Sequence, residues 1–152
     1  ENCRLAAQAR AQSPWSWWRD AQRHTASVQR AHEVAAQVGL ADCMERPAGM
    51  LSHGQCRHLA IAMCRATGAQ VLLIDEPLAG MGAEEAESML DLLSGLRAEH
   101  AILLVEHDMD AVFRIADRIT VMVDGTVIAS DLPEAVRANP EVQDAYLGVG
   151  GA

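Results

Sequence analysis

Leu51-Ser52-His53-Gly54-Gln55, followed one helix later by Val71-Leu72-Leu73-Ile74-Asp75-Glu76, is the stretch whose reading decides the fold of this chain. Ser52 stands ahead of a run, Gln55 to Ala66, in which Leu59, Ala62, Met63 and Ala66 recur at helical spacing, so it reads as the N-cap of a helix. A Gly-containing loop that opens a helix presents unpaired backbone N–H groups and the positive end of the helix dipole, which together suit an anionic phosphate. Gly54 lets the backbone approach such a group closely. Val71 to Ile74 is a short continuous apolar run, as expected of a central strand in a parallel sheet covered on both faces. Its end delivers Asp75 and Glu76, and in open α/β sheets ligands bind beyond the carboxyl ends of the strands. Taken singly, the loop is also an ordinary helix cap and the acids an ordinary solvated pair.

Downstream the pattern repeats. Glu84 to Arg97 reads as an amphipathic helix with Ala86, Met89, Leu90, Leu93 and Leu96 on one stripe, which marks core. Ala101 to Val105 is a second apolar strand, closed by Glu106-His107-Asp108. Asp108 to Ala116 is expected to be a helix packing through Met109, Val112 and Phe113. Ile119 to Val123, Asp124-Gly125 and Thr126 to Ala129 predict a β-hairpin, because Asp-Gly between apolar runs favours a type I′ turn. Two short helices, Leu132 to Ala138 and Glu141 to Leu147, are split by Pro140.

Upstream, residues 1–38 read as mostly helical at Leu5 to Gln12 and Ala26 to Val38, with Gly39 as a C-terminal cap residue. Ser13-Pro14 interrupts the pattern. The interruption carries Trp15, Trp17 and Trp18, which cannot all face one side of a short helix, so local packing and a surface contact both fit. Leu40 to Met50 is a connection. His32-Glu33 begins like a zinc-protease helix, but Ala36 stands where the second ligand belongs.

The composition agrees with an α/β protein. Half of the 152 residues are apolar and only 3% aromatic, which describes a core of Ala, Leu, Val, Ile and Met. A formal charge of −9 with scattered basic residues argues against a nucleic-acid partner. Apolar runs such as Ala101 to Val105 are far shorter than the roughly 20 residues that span a bilayer. The cysteines Cys3, Cys43, Cys56 and Cys64 contain no C-x-x-C pair; on one helix Cys56 and Cys64 lie roughly 12 Å apart, too far for a disulfide.

The order of signature loop, helix, Asp-Glu strand end and His strand end resembles the ATP-binding subunit of ABC transporters. The tail, Pro140-Glu141-Val142 with Ala145-Tyr146-Leu147-Gly148, and Pro77-Leu78-Ala79-Gly80-Met81 are similar to the branched-chain amino acid importer type. The resemblance runs from about Glu1 to Gly148. It implies a partial P-loop NTPase (RecA-like) α/β core of mostly parallel strands, with a helical subdomain at residues 1–50, the signature helix and C-terminal half of the core at 51–148, and a tail at 149–152. It also implies that Glu76 is the general base and that His107 contacts the γ-phosphate. Asp75 would hold Mg²⁺ through water, and Ser52, Gly54 and Gln55 would bind ATP of an opposite subunit. Two departures stand out. His53 replaces the commonest Gly, so that position must adopt a conformation open to non-glycine residues, and Gly82 replaces an Asp that helps couple the two sites.

No G-x-x-x-x-G-K-[ST] phosphate loop occurs in the 152 residues, so the expected reading is the second part of a nucleotide-binding domain, inactive by itself. Its expected partners are a second ATPase subunit, as a homo- or heterodimer, and transmembrane permease subunits at the cytoplasmic face of the inner membrane. A truncated, non-catalytic interaction module of the same fold is the alternative. A chromosome-maintenance ATPase shares the motifs, but coiled-coil heptads and a basic surface are not seen.

Overall fold

The computed structural model describes residues 1–9 and 25–146. Ser13-Pro14, the three tryptophans, Leu147-Gly148 and the tail lie outside the described residues. The chain forms two compact units, Glu1–Leu104 and Val105–Ala152.

In the first unit, helices α1 (Asn2–Gln8), α2 (Thr25–Gln37) and α3 (His53–Ala66) pack on one another. Apolar residues at helical spacing cause this: α2 buries Ala31, Val34 and Ala35, and α3 buries Ile61, Ala62 and Ala66. Polar pairs fix the register. Gln8 Nε2 donates to Ser27 Oγ (3.2 Å), and the His58 Nδ1 proton is directed at the Val38 carbonyl (2.8 Å). α2 stops at Gly39, whose N–H donates to Ala36 O while Leu40 N–H donates to Ala35 O, the paired bonds of a Schellman ending. The connection beyond it holds two 3-10 turns, Ala41–Cys43 and Ala48–Met50. All four cysteines are free, and burial pushes the Cys3 thiol pKa up, which keeps it protonated.

After α3 comes β1 (Val71–Asp75), then α4 (Ala83–Leu96), then β2 (Ala101–Val105), which pairs with β1 in a two-stranded sheet. Of the expected stripe on α4, Ala86 is half-buried, while Met89, Leu90, Leu93 and Leu96 are buried. Each such side chain contributes about 1.5–3 kcal/mol through burial. Among the described residues the opposite face of the sheet is uncovered. Leu72 is buried, but Val71, Leu73 and Leu103 are 58%, 74% and 60% exposed. A continuous apolar run thus sits on a strand that the described residues cover on one side only.

Large exposed apolar side chains beside unpaired strand edges favour association with another chain. The 152-residue polypeptide is therefore expected to run larger than a monomer in light scattering. Leu73→Thr with Leu103→Thr should return it toward monomer, whereas a cleanly monomeric, cooperatively melting parent would overturn the expectation.

In the second unit, α5 (Met109–Ile115) precedes the antiparallel hairpin β3 (Ile119–Val123) and β4 (Thr126–Asp131). Asp124 and Gly125 both have positive φ (47° and 77°), as a type I′ turn requires. The register shifts between Val121 and Met122, so Ile128 is an extra residue on β4. The hairpin also runs two residues longer than expected. Ile119, Val121, Val136 and Val142 form the core, with Met109, Val112 and Phe113 against it. Pro140 opens α7 (Pro140–Tyr146) after α6 (Pro133–Arg137), because the first helical position needs no N–H.

Candidate functional site

The first group of residues is built at the start of α3. Ser52 is extended (ψ 165°) and its Oγ accepts the Gln55 N–H at 3.2 Å, while Gln55 Oε1 accepts the Ser52 N–H at 3.0 Å. This reciprocal capping box rigidifies the loop and contributes roughly 1 kcal/mol through the serine alone. Gln55 is thereby turned inward, and its Nε2 lies 3.4 Å from Cys43 Sγ. The amides of His53 and Gly54 precede the first intrahelical bond, so they remain directed out of the helix end. His53 takes a helical conformation without positive φ, which is why a side chain is accepted there.

An oxyanion already lies at this helix end. Ser52 Oγ donates to Glu85 Oε1 at 3.5 Å, and a Cβ added to Gly54 would stand 2.8 Å from the same oxygen. A side chain at position 54 would displace that carboxylate. Ser52 Oγ is thus the donor to this oxygen, and the helix dipole and leading N–H groups of α3 favour an anion at the same end.

The second group is at the end of β1. Asp75 is its last residue and Glu76 the next, both exposed. Glu76 has φ 42°, a left-handed conformation that costs a non-glycine residue on the order of 1–3 kcal/mol and persists only when its surroundings hold it. The Glu76 carbonyl accepts from Ala79 N–H at 3.3 Å and from Arg57 Nη1; Arg57 Nη2 donates to the Ala79 carbonyl at 2.8 Å. Beyond this loop Gly82 is the N-cap of α4 and supplies no side-chain cap. The Asp missing there costs α4 a few tenths of a kcal/mol relative to a capping residue.

The third group belongs to the second unit. The Glu106 side chain is 1% exposed, and its Oε2 accepts the His107 N–H at 3.1 Å and lies 3.9 Å from His107 Nδ1. The His107 side chain is 70% exposed. Asp108 caps α5 by accepting the Ala111 N–H at 3.1 Å. Thus Ser52, Gly54, Gln55, Asp75 and Glu76 lie in the first unit and His107 in the second.

Three residues escaped the sequence reading. Arg57 reaches carbonyls 19 and 22 residues away, so no local spacing marks it. Glu85 was legible only as a first-turn acid of α4, and Glu106 only as a neighbour of His107.

The model of the family described as ABC transporter matches residues 2–79, and that described as branched-chain amino acid ATP-binding cassette transporter matches residues 126–152. The high-affinity branched-chain amino acid transport ATP-binding protein BraF of Pseudomonas aeruginosa is 42% identical over 128 residues, covering 80% of this chain and 50% of BraF. LivG of Escherichia coli K12, which carries the same description, is 41% identical over 124 residues, covering 80% and 49%. The chain spans about half the length of these curated relatives. A crystal structure of the ADP conformation of an ATP-binding cassette of an ABC transporter superposes with a TM-score of 0.79 at 25% identity, covering 97% of this chain and 61% of the other.

Proposed function

The chain belongs to the ABC transporter family, with the P-loop NTPase fold of its ATPase cassettes, and from that premise we propose that it is the C-terminal part of the ATP-hydrolysing subunit of an importer for branched-chain amino acids or a similar small polar solute. The observation that carries this reading is the anion-accepting turn Ser52–Gly54 joined through Arg57 to the acid-bearing end of β1. The branched-chain amino acid transport described for BraF and LivG supports the substrate class.

In this reading Glu76 orients the attacking water and accepts its proton, the work of a general base within hydrogen-bond reach. His107 donates to the γ-phosphate. Asp75 would hold Mg²⁺, which would neutralise phosphate charge. Ser52, Gly54 and Gln55 grip ATP held by an opposite subunit, Gln55 also closing the capping box with Ser52. A homodimer and a heterodimer both satisfy that geometry. Binding and release of the grip drive paired permease subunits, with the ATPase peripheral at the cytoplasmic face of the membrane. Among the described residues no helix is long and apolar enough to cross a bilayer.

The 152-residue polypeptide alone is expected to release no phosphate from Mg-ATP, since the cradle that holds the β- and γ-phosphates in such enzymes is a Gly-rich loop with its Lys, absent from this sequence. The full-length protein is expected to turn over. Glu76-dependent turnover by the short polypeptide would overturn the first statement, and a full-length protein that binds no ATP would favour a non-catalytic interaction module.

A further inference from the structure

Arg57 stands on the second turn of α3, and its guanidinium spans the gap to the loop that follows β1. One terminal nitrogen donates to the Glu76 carbonyl and the other to the Ala79 carbonyl, with the His53 ring Nε2 3.4 Å away. Its Nε is buried and lacks a partner. The side chain thus forgoes one hydrogen bond while committing both ends of its planar fork to backbone oxygens of a single loop. A lysine cannot reproduce that bite, because its ammonium is a compact point charge and not a rigid fork. One of those oxygens belongs to Glu76, whose left-handed backbone sets the direction of its carboxylate. The same helix carries Ser52 and Gly54 one turn earlier.

We propose that Arg57 is a positioning residue for hydrolysis: by clamping the Glu76 and Ala79 carbonyls to α3, it aims the Glu76 carboxylate and makes the anion-accepting turn and the acid end of β1 move as one body. The proposal rests on the reading of Glu76 as base. In that setting, a shift of α3 as Ser52 and Gly54 take up a phosphate is passed directly to the base of the chain's own site. No contiguous wire beyond this one side chain is needed.

The test is carried out in the full-length protein. Arg57→Ala is expected to lower kcat by roughly 10- to 100-fold, the scale of a slightly misplaced catalytic group, with ATP affinity unchanged. Arg57→Lys is expected to recover only part of the loss, and free guanidinium or ethylguanidinium to rescue Arg57→Ala. In a Glu76→Gln background Arg57→Ala is expected to add nothing, since its effect passes through that carboxylate. Backbone hydrogen exchange at Ala79 and Met81 should also quicken in Arg57→Ala, a direct readout of the clamp that does not depend on the role of Glu76. Unchanged kcat with unchanged exchange, full replacement by Lys, or an additive loss in the Glu76→Gln background would each overturn the proposal. Turnover that survived Glu76→Gln while exchange still responded to Arg57→Ala would fault the functional reading and leave the clamp standing.

Discussion

Glu76→Gln in the full-length protein is expected to cut ATP turnover by roughly 10²- to 10⁴-fold, the usual contribution of a positioned general base, while ATP binding persists. The substitution isolates one variable. Gln keeps the shape and most of the hydrogen bonding of Glu, and it occupies the same left-handed backbone position (φ 42°) as another non-glycine residue. The clamp by Arg57 acts on the Glu76 carbonyl, not its side chain, so it survives the change. What disappears is the carboxylate proposed to orient water. At about 1.4 kcal/mol per tenfold, the expected loss is far larger than any effect of the substitution on an exposed loop. A second consequence is expected: ATP gripped by Ser52 and Gly54 of the opposite subunit is no longer consumed, so a closed dimer accumulates. Phosphate release, nucleotide affinity and dimer fraction measure the three effects. Near-normal hydrolysis by Glu76→Gln would remove Glu76 from the mechanism.

His107→Ala is expected to slow hydrolysis by roughly 10²- to 10³-fold, the scale for loss of one preorganised donor to the transition state. Preorganisation has a visible source here. The buried Glu106 carboxylate accepts the His107 backbone N–H and lies 3.9 Å from Nδ1, so an exposed ring is carried on a fixed base. Because the ring itself is 70% exposed, its removal leaves no cavity and little stability is at stake. Loss of kcat with an unchanged melting temperature is the predicted signature. A variant that loses rate only in proportion to lost folding would assign His107 to structure.

The sequence by itself determined what depends on neighbours along the chain. The Ser52–Gln55 capping box is a bond between positions three apart, the α4 stripe follows the 3.6-residue period, and the Asp124-Gly125 turn follows from two residues that tolerate positive φ. Even the acid pair after Ile74 was legible, since strand ends can be read from where an apolar run stops. The tertiary structure alone decided which groups meet. It brought Arg57 of α3 to the carbonyls of Glu76 and Ala79, laid the Glu85 carboxylate over Gly54, and buried Glu106 beneath His107. It also set Gln55 Nε2 beside Cys43 Sγ and, among the described residues, left Val71, Leu73 and Leu103 exposed. The physical reason is reach. A backbone pattern fixes φ, ψ and the side of an element on which a residue stands, whereas a contact between a long side chain and a distant carbonyl depends on how two elements pack, and no spacing in the sequence records that separation.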